Sequence, residues 1–242
     1  MPESSEHMVK SYDQELNRLR ALITEMGGLI ESEVAQACQA VLERDQDAAS
    51  VVVETDPKVD ALELQVQQFV VKLLALRQPM AQDLRLIVAC LRMTSDLERI
   101  GDYAANVAKR SLVLGQFSLP FTLSGISNMG RLVQQNLKAV IDAIGDNDAE
   151  AALEVWRSDE DIDSIYNALF RELITYMMED PRNITPCTHL LFIAKNLERI
   201  GDHATNIAET LYYAVKGEPL SGIRPKGDTS AYAVVRPPAG EA

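Results

Sequence analysis

Leu97-Glu98-Arg99-Ile100-Gly101-Asp102 returns without a change, one hundred residues on, as Leu197-Glu198-Arg199-Ile200-Gly201-Asp202. The flanks follow the same register: Ala104, Asn106 and Ala108 fall on Ala204, Asn206 and Ala208. Upstream the offset is 103, placing Met26-Gly27 on Met129-Gly130, Asp45 on Asp148, Ala48-Ala49 on Ala151-Ala152, Asp56 on Asp159 and Asp60 on Asp163. A three-residue shortening near a proline turn reconciles the two registers. The chain is one unit written twice.

The hexapeptide also settles the type of unit. Met93, Leu97, Ile100, Ala104 and Val107 alternate steps of four and three, as do Ile193, Leu197, Ile200, Ala204 and Ile207. That period is an apolar seam on a helix. Working outward, Leu16, Leu19, Ile23, Ile30, Val34, Ala37 and Val41 predict a first helix over Tyr12 to Leu42. A polar turn at Asp45–Asp47 leads to a second helix carrying Val59, Leu62, Val66, Phe69, Leu73 and Leu76. Arg77-Gln78-Pro79 stops it, because proline disfavours helical geometry in the residue before it. A third helix restarts at Gln82-Asp83 and runs to about Leu114. The second unit repeats the order: Met129 to Ile144, a turn at Gly145-Asp146-Asn147-Asp148, Ile162 to Met178, a stop at Asp180-Pro181, and Pro186 to Val215. Short turns make successive helices antiparallel. The expected fold is therefore all-α: two tandem antiparallel three-helix bundles, residues 1–117 and 118–217, six long helices in an elongated pair. Residues 218–242, with Pro219, Pro225, Pro237 and Pro238, are expected to form a mobile tail.

Composition narrows the function. The chain has 242 residues, 5% of them aromatic, and a net charge of −13. So acidic a chain offers no basic face to nucleic acid, and cations or basic protein surfaces are its natural partners. Cys38, Cys90 and Cys187 sit far apart among apolar neighbours and read as small buried hydrophobes, not as a disulfide or thiolate site. Residues 1–10 lack the pattern of a signal peptide, and no apolar run reaches the roughly 18 residues that a span requires, so a cytoplasmic location is expected.

The candidate site is the acidic stripe. With Leu97 and Ile100 on the seam, Glu98 and Asp102 fall on the far side, one turn apart, and the stripe is expected to face outward. Like charges at i, i+4 cost a helix a few tenths of a kcal/mol unless a cation sits between them. Hard ions favour such all-oxygen surroundings. A second pair stands where the second helix is expected to begin, Asp56 with Asp60, and again Asp159 with Asp163. Antiparallel packing brings the start of helix two to the end of helix three. Glu98, Asp102, Asp56 and Asp60 would then form one four-carboxylate metal site, and Glu198, Asp202, Asp159 and Asp163 another.

Plainer readings stand beside this one. Asp56 before Pro57 has the form of an N-cap with proline at N1. Arg99 and Arg199 could pair with Asp102 and Asp202 as exposed ion pairs worth little. Gly101 and Gly201 cost a helix about 0.5–1 kcal/mol each, either because a neighbouring backbone comes close or because the acids need clearance. Met26-Gly27-Gly28 and Met129-Gly130 suit close helix approach. His7, His189 and His203 form no ExxH set, so the di-iron oxidase pattern is missing, and His203 reads as a lone surface histidine. The sequence holds no Walker loop, GxSxG or dinucleotide glycine motif.

Two such segments on the third helices of a duplicated bundle, with Leu76-Arg77-Gln78-Pro79 followed by Asp83-Leu84-Arg85, resemble the PhoU family of phosphate-signalling proteins over roughly residues 10–216. The resemblance implies a non-enzymatic cytoplasmic regulator, often a homodimer, that restrains phosphate-starvation gene expression and phosphate uptake. Its implied partners are the ATPase subunit of a phosphate ABC transporter and a sensor histidine kinase, with the membrane reached only through them. It also implies divalent or trivalent metal ions (Mg, Mn, Fe or Zn) at the E(D)xxxD pairs, which here are Glu98 with Asp102 and Glu198 with Asp202. The second half departs from the first at its stop, Glu179-Asp180-Pro181 in place of Arg77-Gln78-Pro79. The rival readings are a structural helical adapter of another transporter complex, and a metal store or metal-dependent enzyme.

Overall fold

The structure, a computed structural model, describes residues 3–119 and 121–222, with side chains from Tyr12 onward. Among the described residues every regular element is helical: α1 (Glu3–Glu43), α2 (Gln46–Arg77), α3 (Ala81–Leu114), α4 (Ser124–Asp146), α5 (Ala149–Arg157), α6 (Asp159–Glu179) and α7 (Ile184–Lys216), with one 3₁₀ turn at Pro181–Asn183. α1, α2 and α3 pack on one another, and α4, α5–α6 and α7 repeat that arrangement. The two repeated bundles are thus those that the duplication predicts. Most of the tail, residues 223–242, lies outside the described residues.

The boundaries follow local chemistry. Asp45 caps α2, its carboxylate accepting the amides of Asp47 and Ala48 at 3.0 Å each, and Asp148 caps α5 in the same way from Glu150 and Ala151. These caps satisfy amides that a helix start otherwise leaves orphaned. Gln78 takes a left-handed φ of 46° ahead of Pro79, and Asn147 one of 52° at the end of α4.

Two expectations about the second helix change. α2 starts at Gln46, so Pro57 lies inside it and Asp56 is not its N-cap. In the second half the helix breaks at Ser158, the residue just before the counterpart of Asp56, so the unit expected as one helix is α5 plus α6. Pro57 removes one backbone donor at the matching place in α2. Both halves therefore weaken the helix at the same register, by different means.

The bundles do not sit apart as an elongated pair. α3 and α7 run antiparallel against each other, with Asp96 facing His203 and Arg110 over the ring of Phe192. α1 and α4 cross behind them. Buried residues of both halves, from Leu19 and Met26 through Leu97 and Ile100 to Met129, Leu137, Ile200 and Ile207, make one continuous core. Each such aliphatic side chain contributes about 1.5–3 kcal/mol on burial. The Met-Gly pairs let α1 and α4 approach. A Cβ on Gly27 would stand 3.0 Å from Ile141 Cγ2, and one on Gly130 3.0 Å from Cys38 Sγ, whereas nothing lies within 4 Å of Gly28. Cys38, Cys90 and Cys187 are free and buried, as read from their neighbours.

Candidate functional site

The acidic stripe faces outward only in part. In α3 the seam residues Leu97, Ile100 and Ala104 pack inward, and α2 lies alongside, so Glu98 is largely covered and only Asp102, 43% exposed, reaches solvent. In α7 the covering by α6 goes further, leaving Glu198 just 5% exposed. A three-helix bundle has two flanks on every helix, and a heptad seam alone does not say which flank carries the neighbour.

In the first cleft the four predicted residues act on one another electrostatically. Glu98 is held above the usual carboxylate range by burial, then by Asp102, with Glu63 and Asp60 adding to it against Arg99. Asp56 is raised by burial, then by Asp102 and Asp60. Carboxylates on α2 and α3 thus share one field, raising each other's cost of ionisation. Arg99 reaches Asp102 at 3.1 Å and Glu98 at 3.5 Å, so the exposed ion pair expected of it also forms.

A fifth acid joins them that the sequence reading missed. Glu33, on α1, is 2% exposed, and neither carboxylate oxygen has a hydrogen-bond partner. Burial, then Asp56 and Asp60, push its carboxyl up to about 7, with Lys58 acting the other way. Gly101 gives it room: a Cβ there would stand 3.4 Å from Glu33 Oε2, 3.5 Å from Val59 Cγ1 and 3.9 Å from Asp56 Oδ1. Of the two explanations for Gly101, a neighbouring backbone is not among the atoms nearest that Cβ position, which are side-chain atoms of Glu33, Val59 and Asp56 at ordinary contact distances. The signal for Glu33 is a charged residue inside an apolar face, between Ile30 and Val34.

The second cleft has the same residues in different company. Asp159 and Asp163 are buried, and the Thr205 hydroxyl donates to Asp159 Oδ1 at 3.0 Å, so α6 does meet α7 through its acids. The Lys195 amine donates to Glu198 Oε1 at 2.8 Å, while Arg199 lies 3.7 Å from Glu198 and 3.6 Å from Asp202. Glu198 is raised, chiefly by burial, with Lys195 pulling it down and Asp202 up. Gly201 does not clear an acid: a Cβ there would stand 2.9 Å from Ile162 Cδ1.

His203 is no lone surface residue either. Its Nδ1 lies 2.7 Å from Asp96 Oδ1 across the α3–α7 contact, with the Tyr103 ring 5.6 Å away.

Both clefts are oxygen-only donor sets, which suits hard ions such as Mg²⁺ or Mn²⁺ better than thiolate- and imidazole-seeking ones. As they stand, no three His, Cys, Asp or Glu side chains among the described residues converge closely enough to hold an ion. Mutual repulsion splays carboxylates, and each could be redirected by rotation about its own side-chain bonds. No helix among the described residues is long and apolar enough to cross a membrane.

Comparison with known proteins agrees with this architecture. The family model described as PhoU domain matches twice, over residues 23–111 and 126–211. A protein of Caulobacter vibrioides named Phosphate-specific transport system accessory protein PhoU homolog is 51% identical over 225 residues, 93% of this chain and 98% of that one. Its namesake in Rhizobium meliloti is 47% identical over 229 residues, 94% of this chain and 97% of that one. Among solved structures, PhoU from Pseudomonas aeruginosa superposes with a TM-score of 0.84 at 39% identity, over 86% of this chain and all of that one. The phosphate transport system regulatory protein PhoU from Streptococcus pneumoniae gives 0.80 at 31%, over 87% and 99%.

Proposed function

Because this chain belongs to the PhoU domain family, we propose that it serves a phosphate transport system as an accessory regulator, restraining uptake and phosphate-starvation gene expression when phosphate is plentiful. In this reading it acts in the cytoplasm as a scaffold, with a second copy of itself, between the ATPase subunit of the transporter and a sensor histidine kinase. It biases the kinase toward its phosphatase state. The observation that carries the reading is near-full-length likeness to accessory proteins of phosphate-specific transport.

Other features support a binding role over an enzymatic one. The three thiols are buried and pushed up to about 11 for Cys38 and Cys187 and about 12 for Cys90, the reverse of nucleophile activation. Leu76, Met80, Leu84 and Val88 are exposed around the turn between α2 and α3, an apolar stripe of the kind that partner surfaces cover. The acidic clefts would hold hard metal ions through Asp56, Asp60, Glu98 and Asp102 in the first half and Asp159, Asp163, Glu198 and Asp202 in the second. A bound cation would relieve the repulsion among these carboxylates and tie the second helix of each bundle to the third.

The regulatory reading is tested by alkaline phosphatase activity in a phosphate-replete strain whose only copy of the gene is conditional. Activity should rise on depletion and fall again on complementation; activity that stays low sinks the role. The metal assignment is tested separately: replacing Glu98, Asp102, Glu198 and Asp202 together by Ala should abolish stoichiometric metal, and an unchanged metal content would refute it.

A further inference from the structure

Resting on the reading of the acidic clefts as cation sites, we infer that Glu33 is a fifth ligand, present in the first cleft alone, and that the first half therefore binds a hard divalent cation more tightly than the second. Glu33 lies on α1, outside both repeated acidic pairs, yet its side chain is buried with two oxygens that nothing in the protein satisfies. A buried carboxylate without donors is among the costliest groups a core can hold. Its Oε2 and the Oδ1 of Asp56 both reach the small volume that the missing side chain of Gly101 leaves open. Hard divalent ions ask for six or more oxygens, and α1 and α2 each bring a carboxylate to that volume, with Asp102 of α3 acting on Asp56 from the other side.

Several differences between the clefts favour the first, set against Lys58 and Lys109, which act on Glu33 and Asp56 and stand where the second half has Asp161 and Glu209. Asn136 stands at the register of Glu33 in the second half, and it is not buried. Ser95 stands where the second half has Lys195, whose amine already occupies Glu198 at 2.8 Å. Ala105 stands where Thr205 donates to Asp159. Val59 is replaced by Ile162, whose Cδ1 fills the space over Gly201 that the first half keeps for Glu33 and Asp56. The first cleft adds a fifth carboxylate and leaves the space beside Gly101 unfilled; in the second an amine and a hydroxyl already engage the acids, and Ile162 fills the space beside Gly201. Charge count and room set affinity for hard ions, so two copies of one motif become two unequal sites.

The test is to strip the full chain with chelator, titrate it with Mn²⁺ and follow the free ion by electron paramagnetic resonance. The wild-type chain should show two affinity classes separated by roughly tenfold or more, the scale on which ligand-shell changes act. Glu33→Gln should weaken the tighter class to the level of the other, while Glu198→Gln should remove the weaker class and leave the tighter one in place. Gly101→Ala, which alters no carboxylate but sets a methyl beside Glu33 and Asp56, should weaken the same class in a chain whose metal-free thermal midpoint is not lowered. A tighter class that survives both Glu33→Gln and Gly101→Ala overturns the inference and leaves Glu33 a protonated structural acid. Two equal classes in the wild-type chain overturn the inequality while the metal reading stands. Absence of any Mn²⁺ binding overturns both.

Discussion

Gly101 and Gly201 occupy the same place in identical hexapeptides, yet alanine should stabilise the first and not the second. Each glycine sits inside a long helix, where replacement by alanine gains about 0.5–1 kcal/mol in backbone terms. At Gly101 the new Cβ meets Glu33 Oε2 at 3.4 Å and Val59 Cγ1 at 3.5 Å, ordinary contact distances, so the gain should be kept. At Gly201 it meets Ile162 Cδ1 at 2.9 Å and Cγ2 at 3.6 Å. Overpacking costs about 1–3 kcal/mol, and because Cδ1 is the movable tip of Ile162 the lower end applies, which cancels the gain. The difference traces to one methyl group, because Val59 and Ile162 are equivalent positions. Adding Ile162→Val should therefore restore the gain of Gly201→Ala, with a coupling of about 1 kcal/mol in a double-mutant cycle. Urea unfolding of metal-free protein, followed by far-UV circular dichroism, measures all of these. Equal shifts for Gly101→Ala and Gly201→Ala, or a cycle additive within about 0.5 kcal/mol, would refute the reasoning that packing against α2 and α6 separates them.

Other consequences are as open to measurement. Asp45→Ala and Asp148→Ala each remove a carboxylate that accepts two backbone amides and should each cost about 1 kcal/mol in urea unfolding. Glu33, with its folded pKa raised to about 7, keeps its proton after the unfolded chain has lost it. Metal-free protein should thus lose stability as pH rises from about 4.5 to about 7 and level off above, by an amount on the order of 3 kcal/mol, and Glu33→Gln should flatten that slope. Glu15 has the opposite sign: the hydrogen bond from Arg77, at 2.7 Å, holds its carboxyl below the usual range. The stability it lends is present above its unfolded pKa and is lost as pH falls through the folded one. The gap in urea midpoint between the wild-type chain and Arg77→Ala should therefore close on acidification, and a gap that persists at low pH would count against the pair.

The duplication, the helical class, the polar turns at Asp45 and Asp148, the proline stop at Pro79 and the buried state of the cysteines were all legible from sequence. Each depends on residues within a turn or two of one another, or on identity between distant copies. The two pairs of the antiparallel argument, Asp56–Asp60 and Glu98–Asp102, lie near enough to act on one another's charge, since short turns leave neighbouring helices little choice of direction.

What sequence left open concerns the third dimension of each bundle. Heptad spacing marks the seam of α3 but not which flank α2 covers, so the stripe that spacing turned outward is covered at Glu98 and open at Asp102. The position of Glu33 inside an apolar face marks it locally as unusual, but only the packing of α1 links it to Asp56 and Asp60 on α2. The same holds for the repeat itself. Leu97 to Asp102 and Leu197 to Asp202 are one sequence, and what makes them two environments is contributed from elsewhere: Glu33 against Asn136, Val59 against Ile162, Ser95 against Lys195. Helix formation is decided by neighbours along the chain, whereas charge, room and solvation in a cleft are decided by neighbours across it, and only the packed structure brings those together.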